Sequence, residues 1–457
     1  MIQHPNRRTA IRHGLAASAS FLAAPSLLEV FARIDRTYQA TRPWLAAALK
    51  AERWIAQSAQ VVPDGITWPA DPTAPKGISP DLYNGMAGIV LFYFELHNAT
   101  RDADALRIAR GGADFLLASV PDEADDRPMG LYTGLAGTGI VLSHAFRATK
   151  DERYQAGVRK VLALINRSAK RTGPGVEWND STDIISGSAG IGLALLALRR
   201  DTKEFDTNEL AAKAGDRLVA RSQLIDDDKR TWLVSPQMPR NYPNFSHGTA
   251  GVSYFLARLS GTTPYKGHLD AALAGERYLQ SITTSTPEGG RMIYHSAPGN
   301  EKIFYLSWCH GPAGTARLYR ALGATTGNPQ WEQRVNELAL GIQSMKVPER
   351  SPGFWNNISQ CCGNCGVSEF FLGLYRRSKE KRHLEYAEEI GHDTLKRATT
   401  EGDGFKWIQA EHRVRPDLLV AQTGLMQGAA GVGLAMLHLD GAKEQRKPFV
   451  KLPDDPF

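Results

Sequence analysis

Residues 133–146 read T-G-L-A-G-T-G-I-V-L-S-H-A-F: a polar residue, a G-x-x-G, and a run that is apolar on nearly every side. The pattern returns as N-G-M-A-G at Gly85, S-G-S-A-G at Gly187, H-G-T-A-G at Gly248, H-G-P-A-G at Gly311, C-G-N-C-G at Gly363 and Q-G-A-A-G at Gly428. Seven copies, at successive spacings of 49, 53, 61, 63, 52 and 65 residues, are an internal repeat. A repeat of this length decides the architecture before any local reading does. The runs after the glycines, I-V-L-F-Y-F-E-L and I-G-L-A-L-L-A-L among them, suit helices buried all round. Between copies lie amphipathic stretches such as D-A-L-R-I-A-R-G-G-A-D-F-L-L.

Each unit therefore reads as an outer amphipathic helix, a loop, and an inner buried helix opened by G-x-x-G. The glycines let backbones crowd, and the helix starts should turn free N–H groups toward a common centre. An open stack of such hairpins would leave one face wet, and these inner helices have no wet face. The expected fold is all-α: one α/α toroid of seven inner and seven outer helices spanning residues 40–457. The long loops 223–246, 284–308 and 402–424 contain alternating pieces (R-M-I-Y-H, G-F-K-W-I-Q-A) that predict short strands on one rim. Loops held by a rigid ring are where chemistry is expected.

Composition narrows the class. With 42% hydrophobic and 22% charged residues and a mean hydropathy of −0.32, the chain is an ordinary globular protein, and no segment suits a membrane span. The net charge of +6 is spread without a Lys/Arg run, so nothing supports nucleic-acid binding. Four cysteines are too few for a disulfide scaffold. At the N-terminus, N-R-R-T-A-I-R (6–12) precedes a short Ala/Ser-rich apolar run, so residues 1–30 resemble a twin-arginine export signal that would make the protein periplasmic. Ala10 stands where an aromatic residue is usual, and the alternative is an amphipathic first helix on a cytoplasmic protein.

The residue before each G-x-x-G changes round the ring: Asn84, Thr133, Ser186, His247, His310, Cys362, Gln427. If the glycines mark one level, these residues share one mouth. Cys309 lies beside His310 and Cys361 beside Cys362, so adjacent repeats bring three thiols near one point. Three such ligands suit Zn²⁺ with one position open for substrate, although His310 could replace a cysteine. Cys365 falls where the other copies have Ala and reads as a small buried residue. Two competing readings are a Cys309–Cys361 disulfide and a Cys362-x-x-Cys365 redox pair, the latter without the βαβ setting that gives that motif meaning.

At W-C-H-G (Trp308–Gly311) and C-C-G (Cys361–Gly363), with seven G-x-x-G motifs around them, the chain resembles the LanC-like family, the lanthionine synthetase cyclases. The resemblance covers the whole toroid. It implies an α/α barrel with one zinc on Cys309, Cys361 and Cys362, the all-thiolate subtype. It also implies His247 as acid/base histidine, with Asp183, from D-I-I-S-G, as its partner. The implied reaction adds a thiol, held as zinc thiolate, to a dehydroalanine or dehydrobutyrine and forms a lanthionine-type thioether. The implied partners are a thiol-containing peptide or small thiol, and a separate dehydratase. One departure stands out: Tyr305 occupies the place where the cyclases usually carry an arginine. It keeps open an alternative, a non-catalytic zinc and thiol-peptide binding scaffold. A carbohydrate enzyme would need paired carboxylates, which the positions before the glycines lack.

Overall fold

The computed structural model describes residues 41–457, apart from 202, 204, 263–266 and 350–353. The segment 1–30 read as an export signal lies outside the described residues. The seven inner helices are α2 (Met86–Thr100), α4 (Leu135–Thr149), α6 (Ser188–Ala197), α8 (Thr249–Ser260), α10 (Pro312–Thr326), α12 (Asn364–Ser378) and α14 (Ala429–Lys443). The seven outer ones are α1 (Pro43–Ala56), α3 (Ala103–Ala118), α5 (Glu152–Ser168), α7 (Thr207–Arg221), α9 (Gly267–Ser281), α11 (Gln330–Ser344) and α13 (Lys381–Lys396). Each inner helix packs on the next, and α14 packs back on α2, so the ring is closed. The α/α toroid read from the repeat is the fold.

The packing unit is an inner helix with the outer helix that follows it, joined by a short link; the sequence reading had paired them the other way round. The first outer helix, α1, is left without a preceding partner and packs on α14 instead. Arg42 and Asp440 tie the two together, with Nε donating to Oδ1 at 3.0 Å. None of the described helices is long and apolar enough to cross a membrane.

Outer and inner helices begin differently. Asp102, Asp151 and Asp206 cap α3, α5 and α7 with carboxylates that accept first-turn N–H groups. Inner helices begin at glycine with no side-chain cap, and their first N–H groups are not free, as the sequence had implied. In six of the seven the first N–H is taken by a carbonyl of its own loop seven residues back, as in Leu135 N–H to Pro128, Ser188 N–H to Ser181 and Thr249 N–H to Tyr242, while α10 begins at Pro312, which has no N–H to place. That fold-back explains the second glycine. A Cβ at Gly251 would stand 2.0 Å from the Phe245 carbonyl, and one at Gly314 1.8 Å from that of Trp308.

The seven loops are also bonded to one another. Met426 N–H donates to the Tyr83 carbonyl (2.8 Å), Tyr83 to Tyr132 (2.9 Å) and Tyr132 to Ile185 (2.9 Å). Ile184 then donates to Ser246 (3.1 Å), Ser246 to Cys309 (2.8 Å), Cys309 to Cys361 (3.0 Å) and Cys361 to Met426 (3.0 Å). The series returns to its start, a hoop of peptide groups at the level of the glycines. Short two-stranded pairs decorate this rim. All three expected loops carry strands, for example Ile408–Ala410 with Leu419–Ala421. Others form at Gln60–Thr67 and Lys170–Glu177, and a parallel pair joins Phe304–Tyr305 to Phe354–Trp355 across the two cysteine motifs.

The chain after α14 turns back into the bore. Glu95 Oε2 accepts the N–H groups of Phe449 and Val450, both at 2.8 Å, and Asp454 ends fully buried.

Candidate metal and acid–base site

Two of the hoop residues are cysteines. Cys309 and Cys361 each stand two residues before a motif glycine, and Cys362 stands one before. Their Sγ atoms converge: Cys309 to Cys362 is 3.2 Å, Cys362 to Cys361 is 3.5 Å, and all three lie within 4.8 Å of one another. All four cysteines are free and buried, and 3.2 Å is far beyond a disulfide bond of about 2.05 Å. Neither the Cys309–Cys361 bridge nor the Cys362–Cys365 pair is formed. Cys365 lies within α12, where burial pushes its thiol up.

Burial and the neighbouring thiols push the Cys309 thiol up, and burial does the same to Cys361. Hydrogen bonds from those two hold Cys362 well below the ordinary thiol range. The Tyr83 hydroxyl donates to Cys361 Sγ at 3.0 Å and accepts from Gln427 Nε2 at 3.0 Å, so two further residues from motif positions support the cluster. Three soft, buried sulfur donors with no carboxylate among them fit zinc. His310 is not in this donor group, although it is buried and its Nδ1 has no hydrogen-bond partner.

The structure brings His247 and Asp183 together. His247 Nδ1–H donates to Asp183 Oδ2 at 2.5 Å. Asp183 is 1% exposed, and its Oδ1 accepts the N–H groups of Ser186 (2.9 Å) and Gly187 (2.7 Å). One carboxylate thus holds the turn that leads into α6 and fixes the histidine, leaving Nε2 as the available nitrogen on a ring that keeps 30% of its surface exposed. The His247 ring centroid is 5.7 Å from that of His310.

A chain of ring contacts runs from His247 to His310, the neighbour of Cys309, and only some of its members were marked in the sequence. His295 lies 4.5 Å from His310 and 4.4 Å from Tyr305, and Tyr242 lies 5.0 Å from His310. Burial, with Arg413 nearby, pushes His295 down to about 4, so it is neutral at pH 7. Burial and the Cys362 and Cys309 charges push the Tyr305 phenol up, while Arg413 opposes them. Tyr305 thus sits against the site as a neutral hydroxyl. Tyr242 and His295 come from rim loops outside the repeat, where no spacing marks them.

Known proteins share this fold. The family model described as lanthionine synthetase C-like protein matches residues 78–452. Among solved structures, nisin cyclase matches at TM-score 0.58 and 16% identity, over 81% of this chain and 90% of that one. The GH76A α-1,6-mannanase from Salegentibacter sp. HEL1_6 matches at TM-score 0.45 and 12% identity, over 88% and 99% of the two chains. A sugar epimerase from a ruminal bacterium matches at TM-score 0.46 and 12% identity, over 92% and 99%. The last two are too distant to carry an argument. Seven glycine motifs, a closed ring of helices and a family match over most of its length place this chain in the lanthionine synthetase C-like family.

Proposed function

We propose that the protein is a zinc-dependent cyclase-type enzyme that joins a thiol to a dehydroamino acid as a thioether. The observation that carries this reading is the convergence of Cys309, Cys361 and Cys362 within 4.8 Å, on the rim that also holds the His247–Asp183 pair. Zinc on the three cysteines would keep a substrate thiol deprotonated and nucleophilic near neutral pH. The substrate sulfur forms a bond to the β-carbon of a dehydroalanine or dehydrobutyrine, and the π electrons move onto the carbonyl as an enolate. The proton lost by the thiol balances the one gained at the α-carbon. We assign its carriage to His247 Nε2, with Asp183 holding Nδ1–H and stabilising the imidazolium. The thiol is carried by a peptide or a small molecule, and a separate dehydratase supplies the acceptor.

Zinc per chain, beside a Cys361→Ala variant, tests the metal. Near one equivalent in the parent and little in the variant is the expected result. Thiol addition to a dehydroalanine peptide tests the chemistry. His247→Asn should keep the zinc and lose about 10²–10⁴-fold in rate. A zinc-loaded parent that adds no thiol would leave the binding scaffold as the better reading, which the neutral Tyr305 in the arginine position favours. Export through residues 1–30 is a separate proposal, checked by the N-terminus of the protein recovered from its host.

A further inference from the structure

The last residues of the chain lie against the side chains that hold the thiols. Asp454 is 1% exposed. Its Oδ2 accepts Trp308 Nε1–H at 2.8 Å and its Oδ1 accepts the Tyr132 hydroxyl at 3.0 Å. Trp308 is the chain neighbour of Cys309, and its ring packs 5.0 Å from Tyr132. Tyr132 in turn meets Tyr83 edge-on at 6.5 Å, and the Tyr83 hydroxyl reaches Cys361. Two short paths therefore run from one carboxylate to two of the three sulfurs.

A carboxylate at this depth is costly unless its charge is met. Arg317 meets it: Nη1 donates to the Asp454 carbonyl at 2.7 Å and lies 3.9 Å and 3.6 Å from the Asp454 and Asp455 carboxylates. Upstream, Glu95 holds the strap by its Phe449 and Val450 N–H groups. Among the described residues, Asp454 is the strap carboxylate that reaches the rings beside the cysteines.

We infer that the C-terminal strap is a working part of the thiol centre, with Asp454 as a positioning residue that fixes Trp308 and Tyr132 and, through them, the Cys309 and Cys361 sulfurs. The metal readout below rests on the proposed zinc function; the thiol readout does not.

The test compares full-length Asp454→Asn with Asp455→Asn, which touches Arg317 but neither ring. Zinc affinity is measured by competition with a chromophoric chelator. Alkylation of each cysteine in the metal-free protein is followed by peptide mapping. Asp454→Asn should weaken zinc by up to about tenfold, at or below the low end of the roughly 10–100-fold lost when a group bonded directly to a metal's ligand is removed. It should also speed alkylation of Cys309 and Cys361 several-fold while Cys365 stays protected, and Asp455→Asn should do neither. If Asp454→Asn does not fold, Trp308→Phe keeps an aromatic side chain, deletes the donor and should speed alkylation of Cys309 while Cys361, on the Tyr132 path, changes less. Unchanged alkylation, or all four cysteines reacting together, overturns the inference. A parent that binds no zinc defeats the proposed function and leaves alkylation to decide the strap.

Discussion

At the scale of single residues, both glycines of each motif answer to space: a Cβ at Gly134 or Gly248, which open α4 and α8, would stand 2.1 or 1.9 Å from a carbonyl of its own loop. Those opening α2 and α4 have φ of −84° and −158°, which other residues adopt, so handedness does not explain them. The second glycine is closed in likewise, because its own loop's carbonyl lies against the first helical turn. Gly314→Ala should cost more than about 3 kcal/mol in chemical denaturation, since neither the helix nor the loop can retreat without breaking the hoop. Gly323→Ala, in the same helix, meets nothing nearer than Trp331 Cβ at 3.6 Å. It should be neutral or stabilise by up to about 1 kcal/mol. The motif was legible in the sequence as a rhythm, which also drew Cys309, Cys361, Cys362 and His247 to one level, while Asp183 was marked only by the family resemblance. What the rhythm could not convey was the fold-back, which depends on carbonyls six and seven residues away. His295 and Tyr242 were illegible for a related reason: they reach the site from loops whose paths no period constrains.

At the scale of elements, the least legible piece was the C-terminal strap. Its sequence, F-V-K-L-P-D-D-P-F, has neither helical nor strand period, and its place is set by buried acceptors on other helices. One of these, Glu95, belongs to a buried group with His438, whose Nδ1 lies 2.6 Å from Glu369. Burial alone would lower His438, but Glu369 and Glu95 outweigh it and raise it to about 9. Burial opposes ionisation of Glu95, yet His438, Asn98 and the Val450 N–H bring it down to about 2. The histidine stabilises the fold when protonated in full below its unfolded value of about 6.5, and that contribution is lost as pH rises through 9. The carboxylate contributes above its ordinary value of 4.5, and its share is lost as pH falls through 2. Stability should therefore be flat between these ordinary values and decline by about 2–3 kcal/mol from pH 7 to pH 10. His438→Gln should remove most of that alkaline slope in denaturant titrations at fixed ionic strength. A slope that survives the substitution assigns the loss to other groups.

At the scale of the whole molecule, stability depends on joining the ends. Asp440 is 2% exposed and holds Arg42 from before α1 and Arg446 from after α14. Asp440→Asn leaves two guanidinium groups facing an uncharged amide. It should cost about 3 kcal/mol, with helix signal and thiol protection lost in one transition. Two separated transitions would mean that the ring tolerates an open seam. The toroid itself was legible because seven all-apolar helices admit few other arrangements. The order of pairing was not, since hydropathy is the same whichever neighbour an outer helix covers.

The hoop has a consequence for how the protein is made. A chain leaving the ribosome exposes α1 first, and its partner α14 last. Until Met426 has emerged, the Cys361 N–H lacks its acceptor and the bore has no closing wall. Nascent chains that extend past Cys309 but not to Met426 therefore carry cysteines without a finished cage. Under the proposed function, metal capture at these thiols would be an event of the released polypeptide, open to competition from any oxidant or chelator present before the ends meet.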